Sequence, residues 1–160
     1  MPLKRQTFEH EIFASMVALY SHAGMQDLCL DLQDRYDADI VLFFFFVLAD
    51  RRELGCNDAG LDEAVRFASE WREAVVLPLR KVRRNLKTRT DRPGVHNLRE
   101  AVKRAELAAE RLQAEALVRE ISLEHCTGDL ARRYLTRLRL PDGERESVLR
   151  KIAQAPHPAA

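Results

Sequence analysis

The sequence predicts an all-α fold: one compact domain of six or seven helices over residues 1–154, with a disordered tail at 155–160. Three observations predict it. Ala, Leu, Arg and Glu are abundant, while Gly and Pro number only six each among 160 residues, a mix that favours helix over strand. Apolar residues recur at three- and four-residue spacing through most of the chain. No stretch shows the turn-bounded alternation of a half-buried strand. With 46% hydrophobic and 32% charged residues, the chain is too apolar for disorder and long enough to bury a core without staples.

The elements follow in order. Thr7 caps a first helix that carries Phe8, Ile12, Met16 and Leu19 on one face and stops by Gly24. A second helix spans Met25 to Tyr36 and a third Ala38 to Arg52. The centre of the third, Ile40–Ala49, is apolar on every side and is read as a buried core helix. It is too short for the roughly 20 apolar residues of a membrane span. The breaker-rich stretch "ELGCNDAG" ends it. A fourth helix runs from Leu61 towards Lys87. With Trp71 at zero on a wheel of about 100° per residue, Ala64, Phe67, Ala68, Val75, Leu79, Val82 and Leu86 share its side. Pro78 costs about 3 kcal/mol inside a helix and frees the carbonyl of Ala74. The stripe nevertheless stays in phase, so the segment is one bent helix or two that meet at "VLPL".

After the loop "TRTDRPGV", Leu98, Val102, Ala105, Ala109, Leu112 and Ala116 form a heptad seam. It is expected to pack antiparallel on the Trp71 helix, or alternatively to hold a homodimer. That helix is expected to stop at Thr127–Gly128. Helices at Asp129–Leu138 and Asp142–Ile152 complete the bundle.

Charge is unevenly placed. Residues 1–60 carry five basic and ten acidic side chains, and the remainder carries 21 and 15. The two parts therefore attract each other within a fold, or each steers a different partner. Cys29, Cys56 and Cys126 form no spaced pair, and the N-terminus lacks an apolar leader. Both facts are read as a reduced, cytoplasmic protein.

Asp27, Asp31 and Asp34 share one face of the second helix. Helical isoprenoid enzymes hold magnesium-diphosphate with aspartates spaced in this way. Leu28, Leu32, Met25, Tyr36 and Cys29 lie on the opposite face, however, so the acidic stripe points to water. No second carboxylate cluster accompanies it. A helical enzyme or carrier for a phosphorylated or prenyl-diphosphate molecule, with magnesium on these three aspartates, is the alternative function. Otherwise no catalytic residue, metal or cofactor is assigned. None of His10, His22, His96, His125 and His157 follows a Glu by three residues, as a di-iron bundle requires. His125 and Cys126 are adjacent, and so do not share a helix face.

"RKVRRNLKTRTDR" is the densest charge run. Arg80, Lys81, Arg83, Arg84 and Lys87 fall opposite the Trp71 stripe and are expected to face outward as an anion-binding surface. The partner would be an acidic protein surface or a nucleic-acid backbone, and the function that of a non-enzymatic binding, adaptor or regulatory protein. No aromatic residues interleave with the cations, which argues against a single-strand stacking platform.

Two segments, "LCLDLQDRYDADIVLFFF" (28–45) and "WREAVVLPLRKVRRNLK" (71–87), resemble the hallmark stretches of an uncharacterised proteobacterial family of helical proteins of this length, a domain of unknown function. The resemblance reaches to the end of the alanine-rich helix. It implies a bacterial cytosolic protein and supplies no catalytic residues.

Overall fold

Ten consecutive apolar residues, Ile40–Ala49, leave a helix no face for water, and the rest of the fold covers them. The structure is a computed structural model and describes residues 2–157. Its helices are α1 (Pro2–Tyr20), α2 (Met25–Tyr36), α3 (Ile40–Arg51), α4 (Asp58–Trp71), α5 (Leu77–Lys87), α6 (Val95–Glu120), α7 (Leu130–Arg137) and α8 (Asp142–Gln154). A π turn, Arg72–Val76, joins α4 to α5 without a break. The two therefore form one rod, and the described residues make seven helices.

α3 is the axis, flanked by α1, α6 and α7. Phe43, Phe45 and Phe46 are fully buried. Phe8 of α1 stacks on Phe45 at 6.2 Å between centroids, and Tyr134 of α7 meets Phe46 at 5.4 Å. Each such ring removes enough apolar surface from water to contribute about 1.5–3 kcal/mol. α6 runs back along the α4–α5 rod, as expected from the short loop between them.

Several boundaries differ from the sequence reading, for local reasons. α1 begins at Pro2, so Thr7 lies inside the helix. α4 begins at Asp58, because Asn57 Oδ1 accepts the Gly60 amide at 2.9 Å and caps it. α6 ends at Glu120, short of Thr127–Gly128. Beyond it Glu124–His125 (β2) pairs antiparallel with Leu54–Gly55 (β1), with Leu54 opposite His125 and Gly55 opposite Glu124. Strands of two residues are too short to show alternation in sequence. Of the expected tail, Ala155 is buried. Arg51 donates to the carbonyls of Ile152 (2.8 Å), Ala155 (3.0 Å) and Pro156 (3.2 Å). Residues 158–160 lie outside the described residues.

The heptad seam is displaced. Leu98, Ala105 and Leu112 are exposed and Ala109 is buried, while Glu106, Gln113 and Leu117 occupy the inner face of α6. Two of those inner positions are polar, so a search for apolar spacing slides by one residue onto the neighbouring alanines and leucines.

Opposite charge joins the two parts of the chain as expected. Asp37 accepts from Arg72 at 2.9 Å, Glu9 from Arg119 at 2.9 Å and Asp58 from Arg133 at 2.6 Å. Asp37 has φ 52°, the left-handed conformation that usually selects glycine. Its carboxylate gives Arg72 a partner that glycine would not.

Helix ends are satisfied from a distance. Arg5 donates to Val118 O (2.8 Å), Arg119 O and Ile121 O (3.3 Å), and so closes the C-terminus of α6. Asp50 accepts the amides of Leu130 and Ala131, both at 2.9 Å, and caps α7 in place of Asp129. Gly128 allows this approach, since a Cβ there would lie 2.8 Å from Asp50 Cα and closer still to its carboxylate. Gly128→Ala should therefore lose about 1–3 kcal/mol in urea denaturation. Gly143→Ala, where a Cβ meets nothing within 4 Å, should lose nothing. Equal stabilities of the two variants would refute the close-approach argument.

Candidate functional site

Pro78 has no amide hydrogen, so a regular helix would leave a carbonyl one turn back without its donor. The chain responds with the π turn. Leu77 N–H donates to Arg72 O, five residues back, which inserts one extra residue into the turn. Everything downstream is rotated by about 100° from the plain wheel. Val82, placed inward on that wheel, is 45% exposed. Arg80 and Arg83, placed outward, turn towards α6, with side chains 16% and 25% exposed. Lys81, Arg84 and Lys87 remain exposed. The outward orientation expected for Arg80 and Arg83 is thus corrected by the π turn.

On α6 the inward groups are carboxylates. Glu106 accepts from Arg80 Nε at 3.0 Å and from Arg83 Nε at 2.5 Å, and Glu110 accepts from Arg80 Nη2 at 3.2 Å. Burial raises the Glu106 carboxyl, but the bonds from Arg83 and Arg80 outweigh it and hold the group below the usual carboxylate range. Glu110 goes the other way: burial lifts it and Arg80 only partly opposes the rise. Glu106 is therefore the anion around which two arginines are organised.

These groups form one wall of a cavity of about 580 Å³. Its charged lining comes from α5 (Arg80, Arg83, Arg84) and α6 (Lys103, Glu106, Glu110). The facing wall is mostly apolar. Phe13, Met16 and Val17 come from α1, and Ile40, Val41 and Phe44 from α3. Tyr20, Leu30, Gln33 and Leu107 complete it. Val17, Tyr20, Leu30 and Leu107 are each 40% or more exposed, so they form an apolar rim on the open side. Four cations stand against two carboxylates, and both carboxylates are already bonded to arginine. Among the described residues Lys103 reaches only the surface group Glu100, at 3.3 Å, and Arg84 meets no carboxylate.

The other candidates lie elsewhere. Asp27, Asp31 and Asp34 are exposed on α2, and none lines the cavity. Among the described residues no three His, Cys, Asp or Glu groups converge as a metal would require. Cys29 is buried, and its thiol is pushed up to about 12, which keeps it protonated. His125 Nδ1 is occupied by Glu53 O at 2.9 Å. No helix of the described residues is long and apolar enough to cross a membrane.

Next to the apolar wall lies a buried polar knot. Asp39 caps α3 by accepting Leu42 N–H at 3.1 Å and also accepts from Gln113 Nε2 at 2.8 Å, while its own amide donates to Tyr134 Oη at 3.0 Å. Burial pushes the Asp39 carboxyl above its ordinary range, opposed in part by Leu42 and Gln113. A carboxyl raised on folding adds stability below its unfolded value, about 3.9, and loses that stability as pH rises through the folded value. Asp39→Asn keeps the cap and removes the charge. It should be at least as stable as the native chain at pH 7 and should flatten the decline above pH 4, read by urea denaturation across pH 4–8. A loss above 2 kcal/mol would contradict this.

Arg80, Arg83 and Arg84 were legible as a cationic group in the sequence, although not the direction of Arg80 and Arg83. The partners Lys103, Glu106 and Glu110 were missed. The available signal was Glu106 and Glu110 at four-residue spacing, opposite Arg80 and Arg83 across a short antiparallel connection. No curated protein and no solved structure matches the chain. The family described as "Protein of unknown function (DUF2390)" matches residues 11–117, a span that holds every side chain lining the cavity, and the chain belongs to that family.

Proposed function

We propose that the protein is a non-enzymatic binding protein whose cavity holds an anionic, partly apolar group, with Arg84 and Lys103 meeting the charge. One observation carries the reading: the cavity is segregated, with all its charged side chains on the α5–α6 wall and hydrocarbon on the α1–α3 wall. A nucleic-acid backbone would use the cations and leave the carbon wall idle. A magnesium-diphosphate site would need Asp27, Asp31 and Asp34 in the hollow, and they lie outside it. Pockets of this size and mixed lining are typical of small-ligand sites.

The aromatic sulfonate dye ANS combines an apolar body with a fixed negative charge. It should brighten on binding the native protein. The double variant Arg84→Glu/Lys103→Glu should weaken that binding at least tenfold, an effect of about 1.4 kcal/mol or more. Its melting temperature should stay near that of the native chain, since both side chains are exposed. An uncharged apolar dye should bind both proteins alike. Equal ANS affinity for the two proteins would overturn the reading.

A further inference from the structure

Resting on that reading, we infer that the ligand is a single-chain amphiphile, a hydrocarbon chain that ends in a carboxylate or a phosphate monoester. The α1–α3 wall supports this first. Phe13, Met16, Val17, Ile40, Val41 and Phe44 offer only apolar side chains, and Gln33 and the Tyr20 hydroxyl are the polar exceptions on that side. A peptide laid along it would leave its backbone amides without partners, at a desolvation cost. A hydrocarbon chain has none to satisfy.

The volume of about 580 Å³ also suits one small molecule, within the roughly 300–1,000 Å³ of such sites. A docked protein helix, about 10 Å across with its side chains, would need a longer trough.

The cations fix the polarity of binding. Glu106 and Glu110 hold Arg80 and Arg83 inside, so the interior is close to neutral. Arg84 is exposed with no carboxylate partner among the described residues, and Lys103 is half-exposed. The head therefore stays at the mouth between these two, where water completes its solvation. The chain enters past the apolar rim of Val17, Tyr20, Leu30 and Leu107. Nothing in the cavity binds the far end of the chain, so affinity is set by its length.

The test is calorimetric titration of the full-length protein with octanoate, decanoate and decyl phosphate below their micelle concentrations, together with ANS displacement. Each should bind one to one and displace ANS. Affinity should rise about fourfold per added methylene and fall at least tenfold in Arg84→Glu/Lys103→Glu. 1-Decanol, which lacks the charge, should bind at least tenfold more weakly than decanoate. Val17→Trp fills the entrance from a half-exposed position, so it should fold normally and still exclude the chains. ANS bound in a charge-dependent way but displaced by none of these molecules would overturn the amphiphile and leave the binding reading standing. Displacement by an acidic amphipathic peptide, and by none of the chains, would overturn it in favour of a protein partner. Failure of ANS itself to bind would remove the reading beneath.

Discussion

Glu106→Ala should lower the unfolding free energy by about 3 kcal/mol at pH 7. Glu106 is 9% exposed at its side chain and bonds both Arg80 and Arg83. Removing one partner of a buried ion pair typically costs about 3–5 kcal/mol, because the charge left behind is unpaired. Arg80 keeps Glu110, and Arg83 is one-quarter exposed and can reach water, so the lower end of that range applies. Glu100→Ala removes an exposed carboxylate bonded to Lys103 and should stay within about 0.5 kcal/mol of native. The sign with pH also follows. The Glu106 carboxyl is held below its unfolded value of about 4.3, so its contribution is present above that pH and is lost as pH falls through the folded value. Native and Glu106→Ala proteins should therefore converge in stability on acidification. Urea denaturation from pH 7 to pH 3 checks both points. A loss under 1 kcal/mol at pH 7 would show that the arginines do not depend on this carboxylate.

How legible the molecule was depended on whether periodicity and chemistry agreed. α2 was read to the residue, Met25–Tyr36, because its apolar and acidic stripes oppose one another on an unbroken wheel. α3 was equally plain, since ten apolar residues in a row admit only burial. α6 was misread because Glu106 and Gln113 hold core positions, and nothing local marks a Glu as inward. Its partners lie on another helix. The caps of α6, α7 and α8 were invisible for the same reason, as Arg5, Asp50 and Arg51 act on chain ends about 80 to 115 residues away. The cavity draws on five helices, so no single stretch announces it. What the sequence did carry was the basic run and Pro78. The missing inference was that the proline would be accommodated by a wide turn, which changes the phase of every cation after it.

That phase is open to direct test by removing one residue. Ala74 is exposed within the π turn, so its deletion takes away no buried contact and returns the turn to α spacing. The downstream segment should then keep its phase, because the π turn already takes up one residue, or about 100°. Val82 stays outward, and Arg80 and Arg83 stay on Glu106. Pro78 would sit in a regular helix interior, at about 3 kcal/mol, a large share of the 5–15 kcal/mol typical of a domain. Adding Pro78→Ala should recover most of that loss. The double variant should then bind ANS with native affinity and lose about 3 kcal/mol on Glu106→Ala, as the native chain does, read by dye titration and urea denaturation. A folded double variant that is blind to the dye would show that the extra residue of the wide turn does not set the direction of the arginines. Native binding in a chain one residue shorter would show that the π turn, by taking up that residue, is what turns a basic helix face into the wall of a pocket.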